Sequence, residues 1–221
     1  MDPNTIRNLI ISVPPLVLAI VIHEISHGFV ANKLGDPTAR LMGRLTLNPI
    51  KHIDPVGTLI MPLILYYLSD GKFVFGYAKP VPINPHNFKD PRRDMAISAA
   101  AGPITNILLA IISQILLAHF IMPASTVLPR GISASILQPL AMMLASSIGI
   151  NIILAVINLI PVPPLDGGRV LVGFLPHKQA ISYSRIEPYG FIIVIILFMT
   201  RIANIIIYPV VSILYALINL F

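Results

Sequence analysis

The segment VIHEISHGFV, residues 21–30, places two histidines and a glutamate within an otherwise apolar stretch. In a helix, His23 and His27 lie one turn apart on the same face, which is the spacing that chelates a single metal ion. Glu24 follows the first histidine and is positioned to act as a general base on a water molecule at that metal. The pattern therefore predicts a metal-dependent hydrolytic site.

The surroundings of this motif indicate a membrane-spanning segment. The chain has 221 residues, of which 56% are hydrophobic and 11% are charged, and its mean hydropathy is +0.84. This composition is typical of a multi-pass membrane protein. A charge at the centre of a membrane-spanning helix costs about 2.5–3.5 kcal/mol on insertion scales, so ionisable residues there are functional candidates by default.

Two histidines do not complete a catalytic zinc site, which typically uses three protein ligands. The chain after His27 reads GFVANKLGD and contains no third histidine at the metzincin spacing. Of the nine acidic residues, only Glu24 and Asp166 are both closely joined to long apolar segments and flanked by helix breakers or ligand-type residues, whereas the other seven lie in polar connections or at a terminus. Asp166 lies in INLIPVPPLDGGR, where prolines and glycines break the helix, and broken backbone at membrane depth requires a protein or water-filled surrounding. Asp166 is therefore the predicted third metal ligand.

The elements that must position these residues are apolar runs of helical length. The predicted fold is an all-α polytopic membrane protein with four to six transmembrane or re-entrant helices. We predict a single membrane domain over 1–221, with a core at about 20–170 and C-terminal helices at 188–221. The first spanning helix is expected to begin near Pro14 and to stop at Gly35. The apolar runs occupy residues 6–34, 56–69, 95–122, 136–160, 188–200 and 202–221.

Two other stretches predict a small β-sheet at the membrane surface. RLMGRLTLNP (40–49) partly alternates between apolar and polar residues, and KFVFGYAKPVPINP (72–85) is rich in β-branched and aromatic residues. An exposed edge of this sheet is expected to hold an extended substrate by main-chain pairing.

The distribution of positive charge predicts the orientation in the membrane. Residues 31–94 contain nine Lys or Arg, residues 161–187 contain three, and residues 122–135 contain one. If the run at 56–69 is re-entrant, twelve of these charges share one side, which the positive-inside rule makes cytoplasmic. If it spans, five of them move to the other side, so the charge count favours the re-entrant alternative. We expect a cell-membrane protein whose site opens to the cytoplasm.

Composition also excludes several classes of partner and chemistry. The net charge of +6 is scattered between apolar runs without a basic block, which indicates contact with lipid head groups and no nucleic-acid partner. The chain has no cysteine, so thiolate metal sites, disulfides and cysteine nucleophiles are excluded. Two histidines and one carboxylate favour zinc among the divalent metals.

Three motifs in this order resemble the site-2 protease family of intramembrane zinc metalloproteases: HEISH, AAAGPITN at 99–106, and NLIPVPPLDGG at 158–168. The resemblance covers about two thirds of the chain. It implies hydrolysis of peptide bonds in membrane-spanning or membrane-associated protein substrates. It also implies one zinc ion per chain, held by His23, His27 and Asp166, with Glu24 as the general base.

The resemblance implies roles for four further residues. Asn158 corresponds to the asparagine ahead of the LDG motif and is a candidate contact to substrate or oxyanion. Gly102, Pro103 and Asn106 correspond to the middle-helix motif, which serves in helix packing or in contact with substrate. The chain is similar to compact members of the family, without a PDZ or other appended soluble domain.

A competing hypothesis is a non-catalytic metal-binding membrane scaffold or a zinc carrier. A structural zinc site does not need Glu24, and a carrier is expected to have polar groups in several spans. The run at 95–122 has no second array of carboxylates. These features favour an enzyme, while the sequence leaves the substrate and the oligomeric state open.

Overall fold

The computed structural model of the chain is a helical bundle, and it describes residues 3–68, 76–200 and 202–221. Short 3-10 or π-helical turns join or extend several of the helices, at 49–52, 55–60, 85–87, 117–121 and 133–137. The α-helices are α1 (Pro3–Lys33), α2 (Thr38–Leu41), α3 (Met61–Leu68), α4 (Pro91–Leu116), α5 (Met122–Val127), α6 (Arg130–Ile132), α7 (Gln138–Asn158), α8 (Asp166–Phe174), α9 (His177–Ser184), α10 (Glu187–Met199) and α11 (Ile202–Ile218).

Three helices among the described residues are long and apolar enough to cross a membrane. They are Arg7–Lys33, Pro91–Val127 and Arg130–Asn158. A fourth span results if α9 and α10, which are bent by 67° relative to each other, are counted together. Pro55–Leu68 and α11 are apolar but shorter. The predicted helical fold is confirmed, and among the described residues three or four candidate spans stand against the four to six spanning or re-entrant helices predicted.

Helix α4 lies at the centre of the bundle and packs against α1, α7 and α8, while α11 packs against α7. The core on the α7 side consists of buried Ala110, Ile148, Ile152, Val156 and Ile207 with their neighbours. Small residues such as Ala19, Ala99 and Ala155 are buried where these helices meet. In a membrane, small residues allow helix backbones to approach closely, and van der Waals packing then stabilises the contact.

The first helix begins earlier than predicted. Helix α1 starts at Pro3 and continues through Pro14 and Pro15, whereas a start near Pro14 was expected because proline removes a backbone donor. Membrane helices tolerate such prolines because neighbouring helices can satisfy the freed backbone groups. The predicted end is correct, since α1 stops at Lys33 and Gly35 has φ +114°, which favours glycine.

The predicted surface β-sheet is wrong for the residues that the structure describes, none of which forms a strand. In the first stretch, Arg40 and Leu41 end α2, and Gly43 turns the chain with φ +62°. The Arg44 guanidinium then donates to the carbonyl oxygens of Lys79 and Pro80. The two stretches are therefore joined by a side chain, where a β-sheet would join them by backbone hydrogen bonds. Prolines in the second stretch lack the N–H that a ladder needs. Residues 72–75 of that stretch lie outside the described residues.

Polar segments meet at one end of the bundle. Buried Asp36 accepts hydrogen bonds from Asn84 N at 2.7 Å, from Asn87 Nδ2 at 2.7 Å and from the Thr38 hydroxyl. Burial acts to raise the pKa of Asp36, but these hydrogen bonds outweigh it and hold the pKa below its ordinary value. Arg92 Nη1 donates to Leu175 O at 3.2 Å. The residue that follows α8 therefore lies at the same end of the bundle.

The chain that follows Pro55–Leu68 lies against the start of that segment. Tyr77 N donates to Gly57 O at 3.0 Å, and the Thr58 hydroxyl donates to Tyr77 O at 2.9 Å. Lys79 N donates to His52 O at 2.9 Å. Because the chain before and after this segment makes direct contact, the structure favours the re-entrant alternative over a span.

Candidate metal centre

Three side chains from distant parts of the sequence converge beside α4. His23 and His27 occupy successive turns of α1, and Asp166 is the first residue of α8. His23 Nε2 lies 3.1 Å and His27 Nε2 lies 3.3 Å from Asp166 Oδ2. The two Nε2 atoms are 3.1 Å apart, and all three residues are buried. One potential ligand atom from each residue therefore faces a common point.

Hydrogen bonds at the Nδ1 atoms determine which ring nitrogens face that point. His27 Nδ1 lies 2.8 Å from the backbone carbonyl of Ser98, which can only accept a hydrogen bond. His23 Nδ1 lies 2.5 Å from Asn106 Oδ1. In neutral imidazoles, a hydrogen on each Nδ1 leaves Nε2 as a lone-pair donor, which is the usual arrangement of metal-binding histidines.

The orientation of the Asn106 amide follows from its partners. Asn151 Nδ2 donates to the Ser147 carbonyl at 2.9 Å, so Asn151 Oδ1 is the acceptor that faces Asn106. Asn106 Nδ2 donates to that oxygen at 2.8 Å, and Asn106 Oδ1 is therefore directed at His23. Asn106 and Asn151 are almost fully buried, so this chain of amides holds the His23 ring in one tautomer and orientation.

The chemistry of the cluster fits a divalent cation. Asp166 Oδ2 is buried and has no hydrogen-bond donor, although two imidazole nitrogens lie within 3.3 Å of it. Three electron-rich atoms that approach one another without a proton between them repel, and a bound cation reverses that repulsion. Two histidines and one carboxylate form the donor set of several catalytic zinc sites, with a fourth position left for water.

Glycines after Asp166 let α8 begin close to the preceding loop. A Cβ atom on Gly167 would lie 2.3 Å from Leu159 O, and one on Gly168 would lie 2.4 Å from Pro163 N. Side chains at these positions would push α8 away from the loop at 159–164. The two glycines thus allow α8, which begins with Asp166, to pack closely against this loop.

Gly102 of α4 forms the surface on which both imidazoles rest. A Cβ atom there would lie 2.5 Å from His27 Nε2 and 2.6 Å from His23 Cε1. The middle-helix motif therefore combines close packing at Gly102 with a direct contact from Asn106 to the imidazole of His23. Pro103 is buried in the same turn of α4.

Gly102→Ala is expected to lower zinc affinity by at least about fivefold, because overpacking of about 1–3 kcal/mol would fall directly on the imidazole atoms that face Asp166. Competition with a chromogenic chelator measures this affinity on the purified protein. Gly149→Ala is the matched control, because a Cβ atom at Gly149 of α7 meets nothing within 4 Å. Equal affinities for the two variants would contradict the packing role of Gly102.

Glu24 lies beside the cluster in a cavity of about 410 Å³. Its Oε2 accepts a hydrogen bond from Val81 N at 2.9 Å, which anchors the carboxylate to the irregular segment at 76–84. The same cavity is lined by His23, His27 and Asp166. A carboxylate, three potential metal ligands and space for substrate are thus combined in one place.

Asn158 lines the cavity, but its side chain donates to Leu154 O at 2.9 Å within its own helix. The amide therefore faces the cavity while its hydrogen bond stays within α7. A role for Asn158 toward substrate stays a prediction.

Sequence reasoning missed Asn151, Ser98 and Val81. Asn151 offered a usable signal, because a polar amide within the apolar α7 requires a buried partner. Ser98 contacts His27 through its carbonyl oxygen and Val81 contacts Glu24 through its N–H, and residue type gives little signal for either contact, because every residue has the carbonyl and every residue except proline has the N–H. Only the three-dimensional structure reveals such contacts.

The fold and the cluster define a helical protein with candidate membrane spans and a buried set of two histidines and one aspartate suited to a metal ion, beside a further carboxylate. Residues 12–201 match the family profile described as "Peptidase family M50". The chain therefore belongs to this family, the site-2 protease family. Membership supports a metalloprotease activity for the chain.

Curated relatives agree with this assignment. "Putative zinc metalloprotease YwhC" of Bacillus subtilis is 36% identical over 197 residues, covering 89% of this chain and 84% of the relative. "Putative zinc metalloprotease Rip2" of Mycolicibacterium smegmatis is 30% identical over 189 residues, covering 85% of this chain and 66% of the relative. No solved structure gives a significant match.

Proposed function

We propose that the chain is an intramembrane zinc endopeptidase that hydrolyses peptide bonds of membrane-spanning or membrane-associated proteins. The observation that carries the proposal is the convergence of His23 Nε2, His27 Nε2 and Asp166 Oδ2 in the cavity that contains Glu24. His23, His27 and Asp166 would hold one zinc ion per chain. The zinc named for both relatives is consistent with this ligand set.

When bound, zinc supplies a Lewis acid that polarises the scissile carbonyl and makes water more acidic. Glu24 takes a proton from the attacking water and delivers it to the leaving amine. The hydrogen bond from Val81 N restrains the Glu24 carboxylate on the wall of the cavity. Asn106 and Ser98 keep the two imidazoles oriented through the reaction.

The substrate must present an extended segment, because a transmembrane helix hides its peptide bonds within its own hydrogen-bonding pattern. The irregular segment at 76–84 forms one wall of the cavity and takes the place of the predicted strand edge. The positive-inside rule places the end of the bundle that contains the polar segments on the cytoplasmic side. We infer a cell-membrane enzyme that receives unwound substrate from that side.

Removal of zinc tests this function. The purified chain is assayed in detergent against a panel of fluorogenic transmembrane peptides, before and after treatment with a chelator. Cleavage should fall to background after chelation and return when one equivalent of zinc is added, because no other described residues form a comparable ligand cluster.

Two outcomes of this assay would contradict the proposal. Cleavage that persists after complete removal of metal would exclude a metalloprotease. Stoichiometric zinc without cleavage of any peptide, in a protein that remains folded, would favour the scaffold or carrier hypothesis.

A further inference from the structure

A second cavity, of about 950 Å³, lies directly beside the cavity that contains Glu24 and the histidine–aspartate cluster. We call the latter the catalytic cavity. Both cavities are lined by Pro80, Val81, Ile83, Met95 and Arg169. The two cavities are therefore adjacent, and we infer that a polypeptide held across the metal centre extends from one into the other. We name this second cavity the basic groove, after the arginines Arg92, Arg169 and Arg185 that line it.

The basic groove has an excess of positive charge. Its ionisable lining residues among those described are the three arginines, His177 and Glu187. Arg169 Nη2 lies 3.5 Å from Glu187 Oε1, so the single carboxylate is paired with one arginine. Arg92 contacts the uncharged carbonyl of Leu175. Two guanidinium charges, those of Arg92 and Arg185, remain without a carboxylate partner among the described residues.

One wall of the groove favours an extended ligand. It is formed by Pro80, Val81, Pro82 and Ile83, and it continues to Pro85. The prolines hold this wall extended and prevent it from becoming helical. A peptide that lies along it is extended as it leaves the catalytic cavity, and its side chains reach the arginines across the groove.

We propose that the basic groove binds the part of the substrate next to the scissile bond and selects an extended segment with acidic side chains. This inference rests on the proposed function, because it assigns a substrate class to the same site. Acidic side chains complement the two arginines that lack a carboxylate partner. Anionic lipid head groups could satisfy the same charges, but they would not be continuous with a chain in the catalytic cavity.

Two fluorescent transmembrane peptides test the selection. They are identical except for five residues next to the span, which are all Glu in one peptide and all Gln in the other. Binding is measured by anisotropy in nonionic detergent, on zinc-loaded protein with Glu24→Gln so that no cleavage occurs. The Glu peptide is expected to bind about tenfold more tightly at low salt, since an exposed charge pair contributes about two- to fivefold in affinity. High salt should reduce the difference.

Substitutions of the groove arginines test whether the basic groove causes the preference for the Glu peptide. Arg185→Gln should lower the preference about threefold, and Arg92→Gln combined with it should abolish the preference. Arg185→Lys should retain it, because the charge remains. The matched control is Arg130→Gln, which removes one positive charge from a separate cavity between α5 and α7, and it should leave the preference unchanged.

Equal binding of the two peptides, or a preference that survives the double substitution, would overturn the proposal. Phosphatidylglycerol binding is measured on the same proteins. Loss of this lipid in Arg185→Gln, together with equal peptide binding, would assign the groove to lipid. Because cleavage is blocked throughout, these outcomes are independent of whether the unchanged enzyme hydrolyses either peptide.

Discussion

Asp166→Ala is expected to remove zinc from the purified protein. Asp166 supplies the only carboxylate of the cluster, and its Oδ2 faces both imidazoles within 3.3 Å. Loss of residues that merely orient ligands costs about 10- to 100-fold in metal affinity, so loss of a ligand should exceed about 100-fold. Elemental analysis after dialysis should find about one zinc ion per unchanged chain and a small fraction of that in the variant.

Glu187→Gln is the matched control for this measurement. Glu187 begins α10 and pairs with Arg169, so its substitution also removes a carboxylate near the cavity but leaves the ligand cluster intact. It should retain zinc. Size-exclusion profiles and thermal stability establish that each variant is folded. Full zinc retention by folded Asp166→Ala would show that another group is the third ligand and would contradict the proposed centre.

The parts of this molecule that the sequence predicts correctly are those determined by local pattern. The helical character follows from the length and hydropathy of the apolar runs. His23 and His27 share a face because helix geometry places residues four positions apart on one side. The approach of Asp166 could be anticipated because it follows an apolar run at a point where prolines and glycines break the helix. The metal-binding role of these residues stays a prediction.

The features that sequence reasoning missed depend on contacts between distant segments. The alternation in RLMGRLTLNP indicated a strand, but Arg44 uses its side chain to contact Lys79 and Pro80. The sequence predicts that α1 begins near Pro14, but the helix begins at Pro3 and continues through Pro14 and Pro15. Neighbouring helices can satisfy the backbone groups that these prolines leave free. The link from Asn151 through Asn106 to His23 joins three helices. No local pattern encodes such a link.

Glu24→Gln is expected to abolish peptide hydrolysis and to leave zinc binding intact. The substitution preserves the size of the side chain and an oxygen that can accept from Val81 N, but it removes the basic carboxylate. General acid–base catalysis contributes about 10²- to 10⁴-fold, so cleavage of a transmembrane peptide should fall by at least about 100-fold. Zinc stoichiometry should remain near one, because the three ligand residues are unchanged.

This pair of measurements separates an enzyme from a metal-binding scaffold. A structural site does not require a basic carboxylate beside its ligands, and Gln at position 24 would preserve the contact with Val81 N that a scaffold could use. Asp54→Asn is a suitable control, because Asp54 caps the turn at Val56 and Gly57 and does not line the cavity. Cleavage that persists in zinc-loaded Glu24→Gln would mean that another group accepts the proton. Cleavage lost with zinc retained would identify Glu24 as the general base.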